Sequence, residues 1–184
     1  MIKIITNYEG AGRILRGSYK FETTSKGFSN HKASAIISAA NSFGIMDGGS
    51  DVEIAQIIGL HEVNRLKHMV EGRYYGEIPV GGAAVLKINN PQYDYLIAAP
   101  TMRAPKDISG TDNVYQATRA ILIAMSERGI TSAVMPLLGT GYGKMDKRKA
   151  LEHIVMAERS VDRGERLSFD EIRYTEDILY GRLD

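Results

Sequence analysis

The sequence contains no cysteine, which excludes disulfide bonds, thiolate nucleophiles and thiolate metal sites. It also lacks any apolar run near the roughly 20 residues that a membrane span requires. The first ten residues, MIKIITNYEG, have no long apolar core of the kind found in signal peptides. Because the absence of disulfides fits a reducing compartment, we expect a soluble cytoplasmic protein without a membrane partner.

A charge excess of one sign is also missing, since 23 lysines and arginines balance 22 aspartates and glutamates to leave a net charge of +1. No global field therefore attracts nucleic acid, and we expect no strong general nucleic-acid binding. The four histidines, His31, His61, His68 and His153, do not have the short spacing of metal ligands. We expect imidazoles that are at the surface or partly buried, no metal site and no cofactor.

The chain is long enough for one compact unit. It has 184 residues, and its 43% apolar content can bury a core. Neither an internal repeat nor a linker divides the sequence, so we expect a single domain over residues 1–184. Residues 7–32 mix turn formers with scattered apolar side chains and show no clear period. We expect the N-terminal ~30 residues and the C-terminal ~20 residues to be peripheral.

Short apolar runs alternate with stretches of helical period along the rest of the chain. Strands are predicted at residues 2–5, 33–39, 83–88, 93–100 and 130–138, and helices at 50–58, 60–74, 111–128 and 146–164. Ser50 and Glu53 have the spacing of a capping box, and Thr111 suits an N-cap. The tail from residue 165 could add a helix or an edge strand. This alternation predicts an α/β fold, a three-layer α/β/α sandwich.

Two glycine-rich loops stand where a strand should pass into a helix. The first is SAANSFGIMDGGSD, residues 38–51, and the second is GTGYGKM, residues 139–145. A helix N-terminus exposes unpaired N–H groups, and glycine lets an anion approach them closely. Ligands of open α/β sheets bind at such carboxyl-end crevices, so the two loops together predict a diphosphate site. One such loop alone would indicate only a tight turn.

Two common phosphate-binding motifs are excluded. A Walker loop needs glycine where Leu138 stands and a hydroxyl residue where Met145 stands. The dinucleotide fingerprint fails because G-T-G-Y-G has the wrong spacing and lies late in the chain. The two glycine loops therefore belong to neither of these motifs.

Three stretches of the sequence together resemble the macrodomain family: AIISAANSFGIMDGGSD, YLIAAPTMRAP and VMPLLGTGYGKM. The first loop of that family typically reads N-A-A-N, then several residues, then G-G, any residue and D. The resemblance runs from about residue 35 to the helix after Asp146. It implies a mixed central sheet of about six strands, with ADP-ribose or a related adenine nucleotide bound between the two loops. The phrases NSFGIMDGG and PTMRAP look like a bacterial and phage branch of single-domain macro proteins.

By position, the resemblance implies two catalytic residues. Asn41 matches the asparagine that bonds the distal ribose hydroxyls, where an amide can both donate and accept. Asp51 matches the aspartate that orients or activates a water near the anomeric carbon in enzymes that hydrolyse ADP-ribose esters. Both residues also have a structural alternative. Asn41 could cap a turn at the strand end, and Asp51 could only place favourable charge in the first turn of a helix.

The resemblance also implies a set of ligand-binding residues in the two loops. This set comprises Ser38, Asn41, Gly48, Gly49, Gly139, Thr140, Gly141, Tyr142 and Gly143. The glycines and Thr140 match the diphosphate loops, and Tyr142 matches the aromatic that packs beside the distal ribose. A tyrosine inside a glycine loop has little core to fill, which favours a ligand contact.

The chain departs from the family pattern in several places. Ser38 replaces the first asparagine, and Asp47 lies within the glycine run, where a diphosphate would feel its charge. No acid stands near Gly27, where the family aspartate for the adenine amine should fall, so adenine recognition must differ, come from another segment or be weaker. The end of YLIAAP offers no counterpart to the catalytic lysine of one branch. Arg103 could reach the same rim, although a solvent-facing arginine is favoured.

We therefore expect an ADP-ribose-binding macrodomain that hydrolyses an ADP-ribosyl linkage on protein, nucleic acid or an ADP-ribose derivative. An ADP-ribosylated macromolecule would then be a partner. A non-catalytic reader or sink for ADP-ribose or another NAD-derived nucleotide remains open, and Ser38 and Asp47 favour it slightly. A structural or phage-associated protein that has kept the fold without the ligand also remains open, although the intact loops argue against it.

Overall fold

We describe the fold from a computed structural model, which covers residues 1–162 and 168–182. The strands are β1 (Ile2–Ile5), β2 (Phe21–Thr24), β3 (Ala33–Ser38), β4 (Ala84–Lys87), β5 (Tyr93–Ala98) and β6 (Ala133–Pro136). The helices are α1 (Ala11–Ile14), α2 (Ser50–Ile58), α3 (Leu60–Arg73), α4 (Asn113–Arg128), α5 (Lys147–Asp162) and α6 (Phe169–Leu179). The predicted continuation of α5 to residue 164 and the tail positions 165–167 and 183–184 lie outside the described residues. Among the helices described, none is long and apolar enough to cross a membrane.

The six strands form one mixed sheet in the order β2-β1-β6-β3-β5-β4. Neighbouring strands run parallel, apart from the antiparallel pair of β4 and β5. The predicted turn NNPQ joins these two strands, and in it Asn90 Oδ1 accepts a hydrogen bond from the Gln92 N–H at 2.9 Å. The predicted α/β sandwich with a mixed six-stranded sheet is confirmed.

Helices cover both faces of the sheet, and alternate residues of the inner strands face opposite layers. On β3, Ala35 and Ile37 pack into the apolar cluster that includes residues of α1, α4 and α5. Ile36, between them, packs into the cluster that includes residues of α2 and α3. A strand covered on both faces needs apolar residues at successive positions, which explains the run without alternation in the sequence.

The N-terminal segment is not peripheral, contrary to our prediction. Strand β1 lies inside the sheet between β2 and β6. Its residues Ile2 and Ile4 are buried, with 1% and 0% of their surface exposed. The sequence concealed this position because a four-residue strand is too short to show a period that distinguishes an inner from an outer strand.

Two predicted helix starts are wrong in detail. The N-cap of α2 is Gly49, which has no side chain to cap the helix. The Glu53 carboxylate instead accepts a hydrogen bond from the backbone N–H of Phe28 at 3.1 Å. Helix α4 has Asp112 at its N-cap, one residue after the predicted Thr111. The Glu53 side chain is therefore engaged in a tertiary contact with Phe28 and does not complete a capping box on its own helix.

His153 on α5 corrects our expectation of surface or partly buried imidazoles. Only 1% of this residue is exposed. Burial lowers the pKa of His153 to about 4, and the nearby Lys149 ammonium lowers it further. The folded protein therefore holds a neutral imidazole under conditions in which the unfolded chain binds a proton.

We predict that His153→Leu reduces the acid sensitivity of folding. Because the folded pKa lies below the unfolded value, His153 costs stability as the pH falls from about 6.5 to 4. The variant should therefore lose about 2 kcal/mol less of its unfolding free energy than the wild type between pH 7.5 and 4.5. Urea unfolding at both values measures this difference. The matched control His61→Leu alters an exposed histidine and should follow the wild type. An equal loss of unfolding free energy in His153→Leu and the wild type between the two pH values would contradict the prediction.

Candidate functional site

A cleft opens at the carboxyl edge of the sheet, where the chain leaves β3, β5 and β6. The first loop after β3, residues 101–105 after β5 and the second loop after β6 form its walls. The cleft has a volume of about 380 Å³, which lies within the range of small-molecule sites. Its position is the crevice at which open α/β sheets bind ligands.

Both glycine loops supply backbone N–H groups to this cleft. Within the described part of the chain, the N–H groups of residues 48–50 and 141–143 donate to no protein acceptor. All six residues line the cleft. Residues 48–50 also stand at the start of α2, where the helix dipole adds partial positive charge. Two sets of unpaired donors on opposite walls suit an anion with two phosphates.

Asn41 lines the cleft and also organises the first loop. Its Oδ1 accepts hydrogen bonds from the N–H groups of Phe43 at 3.0 Å and Ile45 at 3.3 Å. Its Nδ2 donates to the Ile45 carbonyl at 2.9 Å. The turn-forming role weighed from the sequence is therefore present. An amide nitrogen carries two hydrogens, so one N–H of Asn41 remains for a ligand.

Asp51 is the buried acid of the cleft, with 8% of its surface exposed. It lies in the first turn of α2, and its Oδ1 accepts a hydrogen bond from Ser38 Oγ at 2.7 Å. Burial raises the pKa of Asp51 to about 6, the Ser38 hydrogen bond opposes this rise, and the charge of Asp47 adds to it. The carboxylate therefore titrates close to neutral pH, as a general base does.

The cleft carries negative charge without a facing cation. Asp47 and Asp51 line it, whereas no lysine, arginine or histidine does so among the described residues. Arg103 is instead held by Glu77 through two hydrogen bonds of 2.7 and 3.0 Å, and its guanidinium lies 5.2 Å from the centre of the Phe43 ring. The described residues also contain no group of three acidic or histidine side chains that could hold a metal ion. An anion here must therefore be held by backbone N–H groups and uncharged side-chain donors, without a cationic side chain among the described residues.

The second loop owes its shape to glycines that have no room for a side chain. A Cβ on Gly139 would lie 2.5 Å from Val114 Cγ2, and one on Gly143 would lie 2.5 Å from the Gly139 carbonyl oxygen. Gly141, by contrast, has open space where its Cβ would be. Next to it, Tyr142 is 71% exposed and approaches the position of a Gly48 Cβ at 3.8 Å. This aromatic ring therefore links the two loops across the cleft.

Most of the predicted site residues meet in this cleft. Those that line it are Asn41, Gly48, Gly49, Asp51, Gly139, Gly141, Tyr142 and Gly143. Ser38 is fully buried behind Asp51, and the Thr140 hydroxyl donates to the Leu137 carbonyl at 3.0 Å, so neither lines the cleft.

The sequence analysis missed several residues that line the cleft. They are Ala39, Ala40, Ile45, Ser50, Thr101, Met102, Pro105, Pro136 and Leu137. Residues 101–105 follow the end of β5, which runs parallel to β3, so its carboxyl end lies at the same edge of the sheet. Ligands of open α/β sheets bind at the carboxyl ends of strands, and the same expectation for β5 would have identified this third wall.

We predict that Gly143→Ala destabilises the protein while Gly141→Ala does not. The added methyl of Gly143→Ala meets backbone and the Ile108 side chain, so the free energy of unfolding should fall by about 2 kcal/mol. The methyl of Gly141→Ala enters open space, and the change should stay within about 0.5 kcal/mol. Urea unfolding of both variants checks the difference. Equal stability of the two variants would contradict the packing described here.

Comparison with known proteins agrees with this architecture. The Macro domain family model matches residues 37–154, more than half of the chain. An uncharacterised protein of Aquifex aeolicus is 33% identical over 123 residues, which cover 67% of this chain and 71% of that protein. The macrodomain of Thermus aquaticus DarG is similar in structure, with a TM-score of 0.63 and 16% identity over 88% of this chain and 93% of that one. A mutant of the Oceanobacillus iheyensis macrodomain with ADPR gives a TM-score of 0.60 and 17% identity over 72% and 74% of the two chains. The chain therefore belongs to the macro domain family.

Proposed function

We propose that the protein binds ADP-ribose in the cleft and hydrolyses an ADP-ribosyl linkage on a protein, a nucleic acid or an ADP-ribose derivative. One observation carries the catalytic part: the buried Asp51 carboxylate opens into a cleft whose two walls offer unpaired N–H groups. The Oceanobacillus iheyensis macrodomain with ADPR supports the choice of ligand. An ADP-ribosylated macromolecule would be the partner.

In this proposal, catalysis depends mainly on how the bound ligand and the attacking water are positioned. The N–H groups of residues 48–50 and 141–143 hold the diphosphate, and Tyr142 packs beside the distal ribose. Asp51 accepts a proton from a water whose oxygen attacks the anomeric carbon. The bond from that carbon to the linked group then breaks, and the linked group leaves with the bonding electrons. A positioned water needs no strong base, which fits a carboxylate that titrates near pH 6.

A non-catalytic reader or sink for ADP-ribose or another NAD-derived nucleotide is the second candidate. The Asn41 amide favours it, because three hydrogen bonds to its own loop already engage this side chain. Asp47 also favours it slightly, as a departure from the family loop that places negative charge on the cleft wall. A reader would bind with the same residues but have no turnover to lose.

We also propose a cytoplasmic location and a bacterial or phage origin. The absence of cysteine supports the former, since a reducing compartment offers no use for disulfides. The similarity to the DarG and Oceanobacillus iheyensis macrodomains supports the latter.

We predict micromolar binding of ADP-ribose in calorimetric titration, with weaker binding of AMP because AMP lacks the diphosphate. Gly141→Glu should abolish this binding, since its side chain enters the open cleft and repels the ligand. Glu127→Gln alters an exposed residue and serves as the control. If no adenine nucleotide gave heat or a thermal shift, the structural or phage-associated role would replace this proposal.

We predict that Asp51→Ala removes hydrolysis of ADP-ribosylated protein or DNA while leaving ADP-ribose affinity within about threefold. Wild-type turnover should rise with pH through about 6, because Asp51 must be ionised to accept a proton. Rate measurements from pH 5 to 8 test both points. Turnover that persists in Asp51→Ala would exclude the catalytic role, and wild-type binding without turnover would favour the reader.

We predict that Asp47→Asn strengthens ADP-ribose binding. Asp47 is an exposed carboxylate on the cleft wall, so removing its charge relieves repulsion of the diphosphate. The gain should be about threefold at low ionic strength and should shrink as salt screens the charge. Calorimetry at two salt concentrations measures it. An unchanged affinity at low salt would show that Asp47 lies outside the field of the ligand.

A further inference from the structure

Ser38 occupies an unusual position for a residue of the first loop. It ends β3, is completely buried and does not line the cleft. Its Oγ donates to Asp51 Oδ1 at 2.7 Å and accepts a hydrogen bond from the Ala40 N–H at 3.1 Å. The hydroxyl thus connects the end of the central strand to the acid at the start of α2.

The two hydrogen bonds fix the direction of the serine proton. The Ala40 N–H can only donate, so it occupies a lone pair of Ser38 Oγ. An ionised carboxylate can only accept, so the single hydroxyl proton must point to Asp51. Among the described residues, Asp51 Oδ1 has this partner, whereas its Oδ2 has no side-chain or backbone partner.

We propose that Ser38 is a positioning residue. Its hydrogen bond orients the Asp51 carboxylate so that Oδ2 faces the cleft, and it stabilises the ionised form of Asp51 near neutral pH. The inference rests on the proposed function, because it assigns a task to the acid used there. It also gives a physical role to the serine that stands in place of the first asparagine of the family loop. Ser38 would act through Asp51 without touching the ligand.

Few other charges act on Asp51, so the Ser38 hydrogen bond should make a measurable contribution to the titration of this carboxylate. Asp47 on the first loop raises the pKa of Asp51, in opposition to the Ser38 hydrogen bond. The second loop contributes one titratable residue to the cleft wall, Tyr142, and residues 101–105 contribute no charged residue to it. On α2 itself, Glu53 faces away toward the Phe28 N–H. Loss of the Ser38 hydroxyl therefore removes the one hydrogen bond to the ionised carboxylate among the described residues.

The test is a carbon-13 NMR titration of the Asp51 carboxyl group in the wild type and in Ser38 variants. Ser38→Ala should move the titration midpoint up by about one pH unit, because a hydrogen bond to the charged form is lost. Ser38→Cys keeps the size of the side chain but donates more weakly, so its midpoint should lie between the two. Ser38→Thr retains the hydroxyl and should restore the wild-type midpoint. Asp47→Asn should shift the midpoint downward.

The pH dependence of turnover is the second readout. In Ser38→Ala the rise in rate should follow the shifted midpoint, while ADP-ribose affinity measured by calorimetry at pH 8 stays unchanged. Ser38 variants with an unmoved Asp51 midpoint would overturn the inference, as would a rate profile that does not follow a moved midpoint. Absence of ADP-ribose binding or turnover in the wild type would reject the proposed function instead. The NMR titration would then still decide whether Ser38 controls the carboxylate.

Discussion

The parallel pairing of β3 with β6 is the constraint on which the site depends. Ala35 lies opposite Ala133 and Ile36 opposite Val134, so the two strands end side by side at one edge of the sheet. The loops that follow must therefore face each other, although about 100 residues of chain separate them. Each loop leaves its strand with backbone N–H groups that no protein acceptor satisfies among the described residues. The sheet register thus brings two sets of unpaired N–H groups to one cleft, as the proposed diphosphate site requires.

The acidic side chains of the cleft lower the stability of the fold. Asp51 is buried without a cation, and its raised pKa records the free energy that this burial costs. Asp47 adds a second negative charge to the same wall. An acid retained under such conditions is typical of a functional site, because a folded core alone gains nothing from it. The Ser38 hydroxyl limits the cost by one hydrogen bond to the carboxylate.

The sequence predicted those parts of the fold that have a strong local pattern. The runs ASAIIS and YDYLIA became inner strands, and Gly129 ends α4 in a left-handed conformation, as its position after the helix indicated. Positions that depend on distant contacts escaped prediction. The inner position of β1 depends on pairing with β6, and Glu53 bonds Phe28 instead of capping α2. In the site, the place of the glycine loops at strand ends predicted the cleft, and the resemblance to the macrodomain family implied Asp51. No local pattern reveals that Ser38 points at Asp51 from 13 residues away.

The central claim is that backbone N–H groups of both loops bind one diphosphate ligand. The most direct measurement is a proton–nitrogen NMR titration that follows the amide signals of residues 48–50 and 141–143 as ADP-ribose is added. We expect both sets of signals to shift and to saturate at the same ligand concentration, because one molecule spans the cleft. Shifts confined to one loop, or located away from both loops, would contradict the account.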